Sequence, residues 1–362
     1  MAVEQNSWIE NQSIAIVNVA VAVIHYQDQY LLGFRAASQH QGNRYEFVGG
    51  KIDAHETATQ ALIREVSEET GLDVANNTAV KLGRLHHDYG DKRVCLQVYR
   101  IEVTAQQYQQ YKNLSHGLEG QKLTWVDKAK LLAGDYELPA ANKTILAWLQ
   151  LPMQISITYP LKHFDNNSNP MTAWLQYHQE HLQVGAWVYT RIKKSGTEEN
   201  IQQLLHLRPD IKAIVPDNFH TGKSVNAVIN RQIVAGHLTQ TQLMQWSSGI
   251  VGSDIACPII ASALSLPLVV SCHDKESIEA ANQLAKGRLK QQLSPVIGIF
   301  LAPVECTQTH PDTPPLGWQA WSELAALADM PVIGLGGLSP MMYKKTTLHG
   351  GVAVAGISQF FR

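Results

Sequence analysis

The sequence predicts an α/β protein of two domains: a mixed α/β domain with antiparallel strands over residues 1–151, and a (β/α)8 TIM-type barrel over 154–362. Three observations predict it. The chain has 362 residues, beyond the roughly 100–200 of one domain. Up to residue 149, strand-like and hairpin-like segments surround one strongly patterned helix. From residue 155 onward, eight short apolar runs alternate with helical stretches.

In the first part, Ile14 to Ile24 is rich in Val and Ile, and Gln27-Asp28-Gln29 separates it from Tyr30 to Gly33, a hairpin signature. Glu56 to Thr70 holds no Gly or Pro and has helical periodicity. Strand-like runs follow at Val94 to Val103 and Leu123 to Val126, then a helix from Asn142 to Leu149. In the second part the runs are Ile155–Thr158, Ala186–Ile192, Ile211–Val215, Ile233–Leu238, Leu266–Ser271, Pro295–Leu301, Val332–Gly334 and Val352–Ala355. The join, Gln150 to Met153, has no flexible composition, so the two domains are expected to pack closely.

A net charge of -2 lacks the basic excess of a protein that grips a nucleic-acid backbone and favours a small-molecule substrate. Cys95, Cys257, Cys272 and Cys306 form no CxxC pair, and Met1 to Ser13 has no basic head leading into an apolar stretch, so a reducing, cytoplasmic setting is expected. Ile14 to Ile24 is too short for the ~20 apolar residues of a membrane span, and Pro258, Ser262, Ser265 and Pro267 interrupt Ile255 to Cys272. Both are expected to be buried strand and helix.

The chemistry concentrates in Gly50 to Leu72. At 100° per residue Glu65, Glu68 and Glu69 lie at i, i+3 and i+4, so three carboxylates share one helix face beside an apolar stripe of Leu62, Ile63 and Val66. Like charges so placed repel, and a hard divalent cation, Mg2+ or Mn2+, offsets them and bridges to substrate phosphates. The reaction implied is metal-assisted phosphoryl substitution by water. Gly49 and Gly50 suggest a tight turn ahead of the helix, and Gly71 a left-handed residue just past its end. The competing reading is a solvated acidic helix.

Gly50, Glu56, Arg64-Glu65, Glu68-Glu69 and Gly71-Leu72 occupy every defined position of the Nudix box. The region resembles the MutT branch of that family, the 8-oxo-dGTP diphosphatases, through Arg35-Ala36-Ala37, Tyr45 to Lys51, Glu119-Gly120-Gln121 and Leu138 to Asn142. The resemblance implies an α/β/α sandwich and a metal site formed by Glu65, Glu68, Glu69, Glu119 and the Gly49 carbonyl, with Arg64 among the catalytic residues and one glutamate handling the attacking water. It implies that Arg35 and Lys51 meet phosphate charge and that Glu46, Phe47 and Asn142 form the nucleotide site, with Asn142 reading the purine edge. Val48 replaces the usual proline. An Asn just before Lys143-Thr144-Ile145 also has the position of a helix N-cap, so Asn142 carries two readings. His86, His87 and Asp88 read as a strand end or loop.

In the barrel, Tyr189-Thr190-Arg191, Val215-Pro216-Asp217, Gly236-His237-Leu238, Ser271-Cys272-His273, Gly334 to Gly337 and Gly350 to Gly356 resemble thiamine phosphate synthase and the thiazole tautomerase-like proteins. The resemblance implies a thiamine-related phosphate ligand, with Arg191 on pyrophosphate, Asp217 on metal and His273 available for acid–base chemistry. Gly336, Gly337 and Gly351 would present backbone donors to the anion. Gln242 stands where a further aspartate is expected, and Thr307 to His310 lacks a lysine, so binding without efficient coupling is expected.

The function expected is hydrolysis of 8-oxo-dGTP to the monophosphate and pyrophosphate, a nucleotide-pool sanitation that limits mutation. The alternatives are a Nudix pyrophosphatase acting on a thiamine-pathway or other diphosphate, and a metabolite sensor.

Overall fold

The computed structural model describes residues 15–191, 198–216, 219, 227–249, 266–307 and 314–361. Asp217, Cys257 and most of the Ile255–Cys272 and Thr307–His310 segments lie outside them. Two sheets organise the molecule: a seven-stranded mixed sheet and a closed barrel of eight parallel strands.

The mixed sheet is built around β1 (Ile16–Tyr26), which pairs in parallel with β6 (Arg93–Glu102) and antiparallel with β2 (Gln29–Phe34) and β4 (Val48–Lys51). β3 (Tyr45–Glu46) and β7 (Lys122–Asp127) flank β2, and β5 (Ala79–Asp88) pairs with β6. Alternation explains the apolar run in β1, because both of its faces are covered. Ala20, Ala22 and Ile24 pack with Ala61, Leu62 and Val66 of α1 (Ala58–Thr70). Val21 and Val23 point to the other side, where Ile145, Trp148 and Leu149 of α4 (Asn142–Leu149) close the layer. Two shorter helices, α2 (Ala105–Tyr111) and α3 (Lys128–Ala133), lie between these elements in the chain.

The barrel runs in the order β10 (Lys212–Pro216), β11 (Ile233–Leu238), β12 (Leu268–Cys272), β13 (Val296–Leu301), β14 (Val332–Leu335), β15 (Ala353–Gly356), β8 (Gln154–Ile157), β9 (Trp187–Tyr189). Each strand coincides with one of the eight apolar runs, as expected of strands buried on both faces. Among the outer helices are α5 (Pro170–His181), α6 (Glu198–Leu207), α7 (Ala227–Gln232), α8 (Gln240–Gly249), α9 (Lys275–Lys290), α10 (Gly317–Leu327) and α11 (Tyr343–Leu348).

The mixed sheet sits against the amino-terminal rim of the barrel, and α4 fills the seam. Its Trp148 indole donates to the Val296 carbonyl at 3.1 Å. Arg84 on β5 holds Asp329, just before β14, through two hydrogen bonds of 2.9 and 3.2 Å. Gly83 has no room for a Cβ, which would stand 2.6 Å from both the Asp329 carbonyl oxygen and the Trp148 ring. One continuous apolar cluster therefore runs from β1 and β2 through α4 into the barrel.

Candidate active site

Local sequence fixes α1 firmly. Thr57 caps it, with Gln60 returning a bond to the Thr57 N–H, and Gly71 ends it at φ 74°, the left-handed position its residue type suggests. With Ala61, Leu62 and Val66 buried, Glu65, Glu68 and Glu69 fall along the edge that faces β4 and the 115–121 loop.

Gly49 and Gly50 do not form a turn. They are strand residues of β4, paired with Val21 and Ala20 of β1, and the reason for glycine is close approach. A Cβ on Gly49 would lie 2.1 Å from the Ala20 carbonyl oxygen, and one on Gly50 would lie 2.1 Å from the Glu65 carboxyl carbon. Glu65 thus rests flat on the strand backbone. The turn between β4 and α1 comes later, with His55 at φ 78°.

Arg64 ties this arrangement together. Its guanidinium donates to Glu56 at 2.7 Å, Glu65 at 2.9 Å, Glu68 at 2.9 Å and the Lys51 carbonyl at 3.0 Å. These contacts make it a positioning residue: they orient two carboxylates and pin α1 to β4, and they hold its own proton firmly. Glu69, one turn from Glu65, has no such partner among the described residues. Burial pushes its carboxyl up to about 8, with the charges of Glu46, Glu65 and Glu119 adding to the shift and the Gly49 N–H opposing it. Glu65 is also raised, chiefly by burial.

Glu119 comes from the loop before β7. That loop is anchored at the end of α1, where the Leu118 N–H and the Gln121 amide both donate to the Glu69 carbonyl, at 2.9 and 3.1 Å. Glu46 on β3 pairs with Arg35. Lys51 is exposed at the end of β4. Phe47 is 4% exposed and packs in the apolar cluster beneath.

The donor set suits a hard divalent cation, since every side chain in it is a carboxylate and Arg64 neutralises only the Glu65–Glu68 side. Among the described residues no three His, Cys, Asp or Glu side chains already stand as a ligand cage. Arg64 holds Glu68, which is 53% exposed, at 2.9 Å.

Asn142 does not cap α4. The cap position belongs to Ala141, with helical φ and ψ and no side-chain bond. Asn142 is the first helical residue, 6% exposed, and its amide makes no hydrogen bond to any described residue. Tyr89, a residue the motifs did not single out, faces the Ala141 backbone N–H and lies within the field of Arg35, Arg44 and Glu46. His87 and His40 meet its ring at 4.4 and 5.0 Å. The signal for Tyr89 was three-dimensional, because the β5–β6 turn that carries it has no distinctive spacing.

A NUDIX domain model matches residues 19–148. The 8-oxo-dGTP diphosphatase of Escherichia coli (strain K12) is 30% identical over 135 residues, which are 37% of this chain and 96% of that protein. The chain belongs to the Nudix family. The 8-oxo-dGTP diphosphatase of Haemophilus influenzae is 33% identical, over 36% of this chain and 89% of its own. The Escherichia coli CTP pyrophosphohydrolase is 35% identical over 78 residues, 20% of this chain and 58% of that protein. A solved structure, described as MutT from the fish pathogen Aliivibrio salmonicida and from Vibrio cholerae, is 30% identical, with 36% of this chain and 94% of that chain covered and a TM-score of 0.28.

The barrel rim differs from the Nudix site. His237 is buried against Tyr189, ring centroids 4.3 Å apart, and its Nε2 lies 2.8 Å from the Ser271 hydroxyl. Burial, then the Arg191 charge, hold it neutral down to about pH 3. His273 bonds through Nδ1 to the Ala302 carbonyl at 2.7 Å. Gly336 and Gly337 follow β14 with φ 96° and 69°, and each packs too close to the 303–306 backbone to accept a Cβ.

Gly351 is not with them. It precedes β15 and so lies at the opposite, amino-terminal rim, where a Cβ would strike Thr346 at 2.5 Å and Trp321 at 2.8 Å. Its role is packing, and the loop that leaves β15 on the Gly336 side begins at Gly356. Gln242 is also engaged locally: its side-chain oxygen accepts from the Thr239 N–H at 2.8 Å and hydroxyl at 2.7 Å, a capping box at the start of α8. No helix among the described residues is long and apolar enough to cross a membrane.

Proposed function

We propose that the Nudix half hydrolyses 8-oxo-dGTP to 8-oxo-dGMP and pyrophosphate with Mg2+ or Mn2+, a nucleotide-pool sanitation carried out in the cytoplasm. The observation that carries the substrate reading is Asn142, a residue 6% exposed whose amide makes no hydrogen bond to any described residue. An amide offers both a donor and an acceptor, which matches a base edge that presents one of each. The names of the two 8-oxo-dGTP diphosphatase relatives support the same reading.

In this reading Glu65, Glu68, Glu69, Glu119 and the Gly49 carbonyl hold the cation. Bound there, the cation supplies charge to the phosphate oxygens and acidity to a coordinated water. Arg64 keeps Glu65 and Glu68 oriented, one carboxylate of the set takes the proton from the attacking water, and Arg35 and Lys51 offset phosphate charge. Phe47 and Tyr89 form the apolar side of the base site, while Asn142 contacts the base edge. The barrel takes a thiamine-related phosphate at the Gly336-Gly337 loop, beside Arg191 and His273, without efficient synthase chemistry.

A second substrate reading rests on the similarity to a CTP pyrophosphohydrolase. Steady-state kinetics of the full chain on 8-oxo-dGTP, dGTP, CTP and thiamine diphosphate separates the two. The proposal expects the highest kcat/KM on 8-oxo-dGTP; a preference for CTP, or for a non-nucleotide diphosphate, would replace it.

A further inference from the structure

A cavity of about 180 Å³ lies in the seam between the two halves, away from the carboxylate site and from the carboxy-terminal rim of the barrel. Its walls come from both halves: Arg84 and His86 on β5, Thr144 and Trp148 on α4, Lys286 and Leu289 on α9. We propose that this cavity is a binding site for a small anion with an apolar ring, such as an aromatic phosphate or carboxylate, held by Lys286, Arg84 and Thr144 with its ring against Trp148 and Leu289.

Charge is the first argument. Asp329 is the one carboxylate lining the cavity among the described residues, and Arg84 already holds both its oxygens. Lys81 adds a further positive charge beside Asp329. Lys286 forms no ion pair with any described residue. The local balance is therefore positive, and the nearby His86 registers it: burial first, then Lys286 and Arg84, push its proton off. An anion is the missing counter-charge.

Unspent hydrogen-bonding capacity is the second. Three buried or half-buried helical threonines, Thr70, Thr346 and Thr347, return their hydroxyls to the carbonyl four residues back. Thr144 does not, although its residue is 8% exposed, and its hydroxyl makes no bond to any described residue. Arg84 spends Nε and Nη2 on Asp329, which leaves Nη1 uncommitted among the described residues.

Size and lining set the class. The volume is below the roughly 300–1,000 Å³ of sites for drug-sized ligands, so the occupant is a single ring with one anionic group. The edges of Trp148, Leu85 and Val296, each nearly buried, together with the half-buried Leu289, give the cavity an apolar side that a bare inorganic anion would leave unused. The position also gives binding a consequence. Thr144 is two residues from Asn142 on the same short helix, so an occupant spanning α4 and α9 bears on the helix that carries the nucleotide-reading amide.

Calorimetric titration of the full chain with phenyl phosphate, inorganic phosphate and phenol tests the site. Phenyl phosphate should bind saturably and more tightly than either fragment. Lys286→Glu, at an exposed position, should weaken it about tenfold or more, and the near-isosteric Thr144→Val roughly threefold to tenfold. Glu69→Gln, in the carboxylate site, should leave the affinity unchanged. Absence of saturable phenyl phosphate binding would overturn the proposal. So would wild-type affinity in both seam variants, or inorganic phosphate binding as tightly as phenyl phosphate.

Discussion

The carboxylate site and the barrel rim both gather polar side chains where strands end, yet they settle their accounts with the solvent differently. At the Nudix site Glu65, Glu69 and Glu119 are brought within each other's field and Glu69 has no cationic partner among the described residues, so its carboxyl is pushed up to about 8, a shift that a bound cation would reverse. At the rim the polar groups mostly satisfy each other: His237 with Ser271, His273 with Ala302, Gln242 with Thr239. Proximity of polar residues alone does not indicate chemistry. What distinguishes the two regions is whether their charges and hydrogen bonds close internally.

The largest expected effect follows directly. Glu69→Gln should cut kcat on 8-oxo-dGTP by about 10²-fold or more while leaving thermal stability equal or higher, because it removes one of the mutually repelling carboxylates. Near wild-type turnover would place the chemistry elsewhere. Asn142→Ala comes next. Since Asn142 is not the cap of α4, the substitution should lower the 8-oxo-dGTP over dGTP preference roughly tenfold or more with little change in melting temperature. Equal loss on both nucleotides, accompanied by a lower melting temperature, would return Asn142 to a structural role.

The two regions should also carry opposite pH signatures. In the metal-free protein Glu69 binds its proton more tightly folded than unfolded, so its contribution to stability is complete at low pH and is lost as pH rises from about 4.5 towards about 8. His237, and His178 in the barrel wall, are held neutral by burial, to about 3 and about 4. Unfolding lets them take up protons, so barrel stability is full above about 6.5 and falls as pH drops, with a slope approaching ~1.4 kcal/mol per pH unit for each histidine. Urea denaturation from pH 4 to 8, with and without Mg2+, separates the two: the cation should flatten the alkaline limb alone. A flat acid limb would mean that the histidines are solvated.

Much of this was legible in the sequence, for identifiable reasons. Strands buried on both faces print as apolar runs, which is why all eight barrel strands were placed, and α1 prints as periodicity with a terminal glycine. β5 was missed because His86, His87 and Asp88 interrupt its pattern, and β4 because Gly49-Gly50 resembles a turn. Only the crossing Ala20 backbone and the Glu65 carboxylate explain those glycines. Gly351 was assigned to the wrong rim because a glycine pair does not say which end of a strand it precedes. The seam cavity has no sequence signature, since its walls come from five separated segments.

The smallest effect concerns Gln242, where the resemblance to thiamine phosphate synthase expects an acid. Its amide oxygen accepts both the N–H and the hydroxyl of Thr239, and its own N–H approaches the Thr239 hydroxyl at 3.3 Å. That reciprocal pattern satisfies backbone groups at the start of α8 and uses the side chain locally. Gln242→Ala should therefore cost about 1 kcal/mol of stability, the ordinary value of a helix cap, and leave 8-oxo-dGTP hydrolysis unchanged. It should also leave untouched the affinity of the full chain for a thiazole phosphate at the Gly336-Gly337 loop. Melting temperature and calorimetry on one preparation read both quantities. Ligand affinity lost at unchanged stability would show that Gln242 reaches into the barrel mouth, and the contrast between an open Nudix site and a self-satisfied rim would then fail at that residue.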